Sequence, residues 1–309
     1  MKNFINLKDI PSIDLRKILN DAKKRKNKRK NLNTLDMDID KPLKGKLLVQ
    51  MYEKESSRTR LSFHIAINQL GASSITVKAS EIHLGKGGES LADTAKILST
   101  YADGFLLRTD SDQKIEEFRT NLKIPIINLL SPNSHPCQVL SDIFTAEEIK
   151  KKPISKLNIC WIGDCNNVLN SLIAVSIKFN FNLNIGCPKN YYPPKFVMDW
   201  VKKNKGKVYI FNDPKKAVQN ADVIFSDKVV SLNDKVNKSK KIKDFKNFKI
   251  NSNLMKYGKK DAIFLHCLPR GNEVSEEVFL GKQSKVFQQA LNRIHVQKSI
   301  LLYCFGKLR

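Results

Sequence analysis

The amino-acid sequence predicts an α/β fold with parallel sheets, and the order of its apolar segments supports that class. Short apolar runs that end in polar residues, such as residues 46–52 and 104–109, alternate with helical segments along the 309 residues. This alternation is typical of parallel α/β sheets. The pattern restarts after the lysine-rich residues 147–156, so we expect a linker there and a domain boundary near residue 150.

The individual elements follow from the same pattern, taken in chain order. In the first half, strands are predicted at residues 46–52, 104–109 and 124–130, with a helix at residues 61–70. In the second half, a strand, a Gly-Asp loop and a helix span residues 157–179; further strands are predicted at residues 182–188, 207–211, 222–227 and 262–269, with helices at 194–204 and 214–220. Ligands bind beyond the carboxyl ends of parallel strands, so the loops after these strands are the candidate site.

The composition argues against several classes of protein. The formal net charge is +25, but lysine dominates it and is spread along the chain. The densest basic run, residues 23–31, has no aromatic residue for base stacking and is interpreted as the solvated end of a helix. We therefore do not expect a nucleic-acid partner. No run of eighteen apolar residues and no signal peptide is recognisable, so we expect a soluble cytoplasmic protein without a membrane partner.

The six cysteines have no close paired spacing of the kind that zinc sites use. We expect reduced thiols and, apart from Cys267, residues that serve in packing.

A polar cluster at residues 56–60 lies directly before the helix of residues 61–70. It combines three hydroxyls with two arginines, Arg58 and Arg60. The first turn of a helix has unpaired N–H groups and the positive end of the helix dipole, which attract anions, and the planar guanidinium suits phosphate. The sequence therefore predicts a ligand that carries a phosphate.

Five motifs, in order and suitably spaced, give the chain a resemblance to the aspartate/ornithine carbamoyltransferase family over nearly its whole length. The family's Ser-Thr-Arg-Thr-Arg loop corresponds to Ser56–Arg60, with Ser57 in place of the first threonine. His-Pro-x-Gln is at His135–Gln138, Gly-Asp-x-Asn-Asn at Gly163–Asn167, and His-Cys-Leu-Pro at His266–Pro269. The late Glu-Asn-Arg motif appears as Leu-Asn-Arg, which ends at Arg293.

The resemblance implies two parallel-sheet α/β domains with the active site in the cleft between them. The carbamoyl phosphate-binding domain is expected at residues 1–148, completed by the C-terminal helix at about 286–309, and the ornithine-binding domain at residues 149–285. The family's unit is a trimer, so a homotrimer or a higher assembly of trimers is expected, with His83 from one chain reaching the neighbour's site.

The resemblance also implies the chemistry, in which an amine attacks the carbonyl carbon of carbamoyl phosphate and phosphate leaves. No metal or organic cofactor is needed for this reaction. The catalytic residues are expected to be Arg108, His135 and Cys267, the last as a positioning residue rather than a nucleophile. The residues expected to bind carbamoyl phosphate are Ser56, Ser57, Arg58, Thr59, His83, Arg108, His135, Gln138, Cys267, Leu268 and Arg293.

The second substrate is expected to be L-ornithine, held by Asn167, Asp227, Ser231 and Leu232. This loop departs from the ornithine branch of the family: Leu232 replaces a methionine, Asn233 a glycine and Val229 a tryptophan. Putrescine or N-acetylornithine as the amine, and a catalytically silent binding protein with the same fold, remain the alternatives. Aspartate is less favoured because His266 is followed by Cys-Leu-Pro. The sequence leaves open whether the reaction serves arginine synthesis or breakdown.

Overall fold

The structure is a computed structural model that describes residues 1–78, 88–230 and 237–308. The chain forms two compact units. The first contains Met1–Ser141 and Leu291–Arg309, and the second contains Asp142–Ala290. The C-terminal residues thus return to the first unit. The domain limits that the sequence suggested stay a prediction.

The first half of the chain alternates helices and strands. Its elements are α1 (Ser12–Lys28), β1 (Leu47–Tyr52), α2 (Ser57–Gln69), β2 (Ser73–Lys78), α3 (Leu91–Tyr101), β3 (Gly104–Arg108), α4 (Asp112–Asn121), β4 (Ile126–Leu130) and α5 (Pro136–Lys150).

The second half repeats this alternation, and several of its helices are short. Its elements are β5 (Asn158–Ile162), α6 (Asn167–Phe179), β6 (Asn182–Gly186), α7 (Lys195–Lys203), β7 (Val208–Phe211), α8 (Pro214–Val218), β8 (Val223–Ser226), α9 (Lys238–Asp244), α10 (Ser252–Met255), β9 (Ile263–His266), α11 (Glu276–Phe279) and α12 (Val286–Cys304).

Each unit is built on a parallel sheet, which confirms the predicted fold class of two parallel-sheet α/β domains. The first sheet has the order β2-β1-β3-β4 and the second the order β7-β6-β5-β8-β9. All the pairings between neighbouring strands are parallel. Parallel strands present their carboxyl ends at one edge, so the loops that follow them converge there.

The cores are apolar, and the sheets supply their central residues. In the first unit, Phe105 of β3 and Phe118 of α4 stack with ring centroids 5.0 Å apart, and both are fully buried. In the second unit, Trp161 of β5 is the largest fully buried side chain, and its indole Nε1 donates to the carbonyl oxygen of Asp164 at 3.2 Å. That bond holds the loop after β5 against the strand that carries it.

Three details differ from the sequence-based expectation. Residues 147–150 belong to the last turn of α5 and are not linker, because the lysines are compatible with a helix end. The basic run is not simply solvated: Arg25 and Arg29 are buried and paired with Asp38 at 3.0 and 2.8 Å. Strand β2 was missed because its sequence, Ser-Ser-Ile-Thr-Val-Lys, lies mostly exposed at a sheet edge and lacks an apolar run.

Candidate functional site

The register of the first sheet brings three polar loops to one edge. Tyr52, the last residue of β1, is paired with Arg108, the last residue of β3, and Arg108 is also paired with Leu130 of β4. The segments that follow these strands contain Ser56, Thr109 and His135. They converge because their strands end at the same level.

Helix α2 begins at this edge with Ser56 as its N-cap residue. Its first turn contains Ser57, Arg58 and Thr59 and no acidic residue. The side chain of Ser56 does not cap the helix. Instead, its Oγ accepts a hydrogen bond from Nη1 of Arg108 at 3.1 Å. The N–H groups of the first turn have no partner within the helix, so the turn offers an anion several backbone donors together with the positive end of the helix dipole.

Arg293 of α12 joins this turn to α5. Its Nη1 donates to Oε1 of Gln138 at 2.8 Å, and its Nη2 donates to Oγ1 of Thr59 at 2.7 Å. All three side chains are buried, with exposed fractions of 3 %, 2 % and 1 %. These hydrogen bonds fix the guanidinium, and its positive charge acts on Arg108 and His135.

The positive charge of Arg293 affects the pKa of Arg108. Burial and the positive charge of Arg293 are the main causes that lower this pKa to about 10; Tyr52 opposes the fall, and Arg58 adds to it. We call Arg58, Arg108 and Arg293 the arginine cluster. Three cations close together repel one another, and such an arrangement is typical of a site that binds an anion.

His135 directly precedes α5 and lies buried beside the same cluster. Burial lowers the pKa of its imidazole well below the usual range, and the charges of Arg293, Arg108 and Arg58 lower it further. The ring is therefore neutral at physiological pH. It can donate or accept a hydrogen bond, but it does not add a fourth positive charge.

Glu53 is a member of this edge that the sequence analysis missed. Its carboxylate accepts hydrogen bonds from Thr109 Oγ1, from the backbone N–H of Asp110 at 3.2 Å and from Lys114 Nζ at 2.7 Å. Its own N–H donates to the carbonyl oxygen of Arg108 at 3.0 Å. Glu53 thus ties the loop after β1 to the loop after β3. Its position directly after an apolar strand was the only sequence signal for it.

The second sheet gathers another polar group at its carboxyl edge. The connection after β5 contains Asn166, which caps α6 by accepting from the backbone N–H of Val168 and of Leu169. Asn166 Nδ2 also donates to Oδ2 of Asp227, the residue after β8, at 2.8 Å. Asn167 is the first residue of α6, and its side chain is partly exposed. The sequence analysis selected Asn167 and Asp227 but not the asparagine that joins them.

The electrostatic setting of Asp227 is distinct from that of a surface carboxylate. Burial raises its pKa, while His266 and the hydrogen bonds from the Lys228 backbone and Asn166 act in the opposite direction. A partly buried carboxylate next to neutral donors is suited to bind a cation, which would lower its pKa again.

His266 ends β9 and organises the loop after it. The N–H of Leu268 donates to Nδ1 of His266 at 2.9 Å, so the ring proton lies on Nε2, which faces Oε1 of Glu273 at 3.1 Å. Leu268 has a φ of +57°, in the left-handed region that few branched residues adopt. Such backbone strain is held in place by the surrounding bonds and is frequent at functional sites. Cys267 lies between these two residues, partly exposed, at the same sheet edge as Asp227.

Three predicted site residues, His83, Ser231 and Leu232, lie outside the described residues. Among residues 1–78, 88–230 and 237–308, no group of three or more His, Cys, Asp or Glu side chains is arranged to hold a metal ion. No helix in those ranges is long and apolar enough to cross a membrane.

Comparison with known proteins matches two family models to successive parts of the chain. The family model described as "Aspartate/ornithine carbamoyltransferase, carbamoyl-P binding domain" matches residues 2–148. The model described as "Aspartate/ornithine carbamoyltransferase, Asp/Orn binding domain" matches residues 155–304. The arginine cluster gathers Arg58 and Arg108 from the first matched region, and Asp227 lies in the second.

Individual relatives match over nearly the full length. The chain is 40 % identical to an ornithine carbamoyltransferase of Brucella suis over 306 residues, which cover 98 % of this chain and 96 % of the relative. It is 41 % identical to one of Rhodopseudomonas palustris over 307 residues, with 99 % and 97 % coverage. The solved ornithine carbamoyltransferase of Pyrococcus furiosus superposes with a TM-score of 0.91 at 34 % identity and covers 100 % of this chain and 98 % of that one. The chain therefore belongs to the aspartate/ornithine carbamoyltransferase family.

Proposed function

We propose that this protein is an ornithine carbamoyltransferase, which transfers the carbamoyl group of carbamoyl phosphate to the side-chain amine of L-ornithine. The observation that carries the proposal is the arginine cluster at the N-terminus of α2, with Arg293 held by Gln138 and Thr59. Carbamoyl phosphate is a small dianion with a carbonyl group, which matches three cations and several neutral donors. The relatives that match over the full chain are named for the same activity.

The phosphate of carbamoyl phosphate is bound by the first turn of α2. The hydroxyls of Ser56, Ser57 and Thr59 and the backbone N–H groups donate to its oxygens, and Arg58 supplies charge. Binding relieves the repulsion that lowers the pKa of Arg108, because a dianion then lies between the cations. The arginine cluster is therefore electrostatically prepared for its ligand.

The carbonyl oxygen becomes negative when the amine attacks, and fixed donors stabilise it. Arg108 bridges phosphate and carbonyl oxygen, and the neutral imidazole of His135 and the amide of Gln138 hold the carbamoyl group. Each well-placed oxyanion donor is worth roughly 3–4 kcal/mol of transition-state stabilisation. Cys267 and the backbone of Leu268 help to position the carbamoyl group.

The reaction balances without an external reagent. The neutral δ-amine of ornithine forms the new C–N bond, and the bond from the carbonyl carbon to the phosphate oxygen breaks. The proton that the nitrogen loses ends on the leaving phosphate, so the products are citrulline and hydrogen phosphate. The residues of the site position the reactants and stabilise charge, which supplies much of the acceleration in such a transfer.

The amino-acid end of ornithine is bound by the group around Asp227. The carboxylate of Asp227, aligned by Asn166 at 2.8 Å, pairs with the α-ammonium, and Asn167 donates to the α-carboxylate. Ser231 and Leu232 complete this set by the resemblance to the family. Putrescine has no α-carboxylate and leaves Asn167 without its partner, whereas N-acetylornithine has no α-ammonium for Asp227.

A side-by-side assay tests the choice of amine. Purified protein is given carbamoyl phosphate with ornithine, putrescine, N-acetylornithine or aspartate, and the carbamoylated product is measured. We expect the largest kcat/KM with ornithine, and a larger value with another amine would reassign the substrate. A protein that carbamoyl phosphate stabilises against heat, but that turns over none of the four amines, would be the silent binding relative.

A matched pair of arginine variants tests the phosphate turn. Arg58→Ala is expected to raise the KM for carbamoyl phosphate and to reduce turnover severely. Arg119→Ala removes an exposed arginine of α4 that pairs with Glu116 on the same helix, so it is expected to change neither. Equal effects of the two substitutions would contradict the proposal that the first turn of α2 binds the phosphate.

We further propose a cytoplasmic homotrimer that acts in arginine metabolism. Two exposed apolar residues of the first unit support an assembly: Leu61 of α2 is 57 % exposed and Ile75 of the edge strand β2 is 51 % exposed. Exposed apolar side chains and an uncovered strand edge are typical of surfaces that another chain covers. Light scattering after size-exclusion chromatography tests this, and a monomeric mass would contradict it.

A further inference from the structure

Two of the cysteines that the sequence analysis interpreted as packing residues lie against one another in the second unit. The Sγ atoms of Cys165 and Cys187 are 3.6 Å apart, and the Cys165 thiol donates to the Cys187 sulfur. Both are free thiols; Cys187 is buried and Cys165 is partly exposed.

The sheet itself brings these two residues together. Strands β5 and β6 are neighbours in parallel register up to the pair Ile162 and Gly186, and the N–H of Gly163 donates to the carbonyl oxygen of Gly186 at 3.1 Å. Cys187 is the first residue after β6, and Cys165 is the third after β5. Their proximity therefore depends on the strand register and not only on side-chain rotamers.

We infer that Cys165 and Cys187 form a peroxide-oxidisable dithiol, whose disulfide weakens the binding of the amino-acid substrate. The second half of this inference rests on the proposed function. Hydrogen peroxide oxidises one thiol to a sulfenic acid and releases one water. The other thiol then attacks that sulfur, the S–S bond forms and a second water leaves, so two thiols and one peroxide give one disulfide and two waters.

The disulfide changes the loop that contains Asn166. A sulfur–sulfur bond is about 2.0 Å long, so the two sulfurs have to approach by roughly 1.5 Å. Cys187 is held at the sheet, where its N–H donates to the carbonyl oxygen of Phe211 at 3.2 Å. Most of the movement therefore falls on Cys165 and on its neighbour Asn166, which both caps α6 and aligns Asp227.

The neighbours of the pair set the rate of the first step. The hydrogen bond to Cys187 raises the pKa of the Cys165 thiol, burial and the charge of Asp164 raise it further, and Lys241 acts in the opposite direction. The reactive thiolate is therefore scarce. Millimolar peroxide over minutes to hours is the appropriate regime, and dithiothreitol is expected to reverse the reaction.

Mass spectrometry tests the disulfide independently of any activity. The complete protein is treated with hydrogen peroxide, its free thiols are alkylated, and its peptides are analysed without reduction. We expect a linked pair of peptides that contain Cys165 and Cys187 in the unaltered protein and in the control Cys160→Ala, which removes a different buried thiol. Absence of that pair would overturn the inference. Cys187→Ala, or Cys165→Ser if the first variant does not fold, is expected to lack it.

Kinetics test the consequence for binding. Peroxide is expected to raise the KM for ornithine by roughly fivefold, as for the loss of one hydrogen bond, and to leave the KM for carbamoyl phosphate unchanged. Dithiothreitol restores the original value, and Cys187→Ala shows no rise. If the linked peptide pair forms but the KM for ornithine does not change, the inference that the disulfide weakens substrate binding is wrong. Absence of carbamoyl transfer before peroxide would contradict the proposed function, while the peptide result would still decide whether the disulfide forms.

Discussion

Replacing Arg108 with methionine is expected to raise the stability of this protein and to lower its proposed activity. Methionine has a similar length and no charge. Burial and the charges of Arg293 and Arg58 disfavour the guanidinium in the empty site, so its removal is expected to stabilise the unliganded protein. The same substitution removes the donor that bridges phosphate and carbonyl oxygen in the proposed mechanism. Stability and activity are therefore expected to change in opposite directions.

The pKa of Arg108 sets the size of the effect. It falls to about 10. Against an ordinary arginine value of about 12.5, this corresponds to about 3.5 kcal/mol at roughly 1.4 kcal/mol per pKa unit. At pH 7 the side chain is protonated in both the folded and the unfolded protein, so the whole cost is present. The hydrogen bond to Ser56 Oγ offsets about 1 kcal/mol. Partial exposure of the side chain reduces the remaining cost of the charge. The substitution is therefore expected to stabilise the protein by roughly 1–2 kcal/mol.

Thermal unfolding measures this gain. At about 2–4 °C per kcal/mol, Arg108→Met is expected to raise the Tm of the unliganded protein by roughly 2–8 °C. Added phosphate is expected to raise the Tm of the unaltered protein more than that of the variant, because binding stabilises the folded state by mass action. The kcat for citrulline formation is expected to fall by roughly a hundredfold to a thousandfold.

A surface variant provides the control. Arg119→Met removes an exposed charge that pairs with Glu116, so its Tm and activity are expected to match those of the unaltered protein. A lower Tm of Arg108→Met without phosphate would refute the argument from repulsion between the arginines. Full activity of that variant would refute its role in the reaction.

Three further predictions concern other parts of the molecule. Asp227→Asn is expected to reduce kcat/KM for ornithine more than for N-acetylornithine, which has no α-ammonium, and an unchanged ratio would show that Asp227 does not bind the amino-acid end. Lys298 is buried against Asp38 and burial lowers its pKa to about 8. The folded protein therefore loses this proton before the unfolded chain does, so its stability relative to Lys298→Met is expected to rise by about 2 kcal/mol between pH 8 and 9.5 in urea unfolding. If the stability of the unaltered protein relative to Lys298→Met stays constant or falls over this pH range, the predicted direction is wrong. His83→Ala and Cys267→Ala chains, each impaired but assembled, are expected to regain activity when refolded together as mixed trimers, and activity no higher than the parental average would place His83 outside the partner's site.

Local sequence patterns predicted most strands of the two sheets. Strands β1, β3, β4 and β9 are mostly apolar because parallel strands are covered on both faces, and such runs are visible without any structure. The polar residues that follow them had to converge, since parallel strands end at one edge. Arg108 was expected at that edge on this ground, whereas Asp227 was selected by the resemblance to the family.

The elements that were missed or misinterpreted owe their state to distant partners. Strand β2 lies at an edge and is mostly exposed, so no apolar run marks it. Arg25 and Arg29 were interpreted as solvated, but they are buried because Asp38, Asp21 and Asp40 are brought to them by the fold. A charged residue can be buried when its partners are supplied, and sequence spacing does not reveal those partners.

What the sequence by itself determined is therefore the class of sheet, the family and some of the residues that lie at each sheet edge. What only the tertiary structure decided is which of those residues touch. Arg293 meets Thr59 across 234 positions of sequence, and Asn166 meets Asp227 across 61. Cys165 meets Cys187 only because β5 and β6 pair in one register. Hydrogen bonds and pKa values depend on distances of a few ångströms, and residues far apart in sequence reach such distances only once the chain has folded.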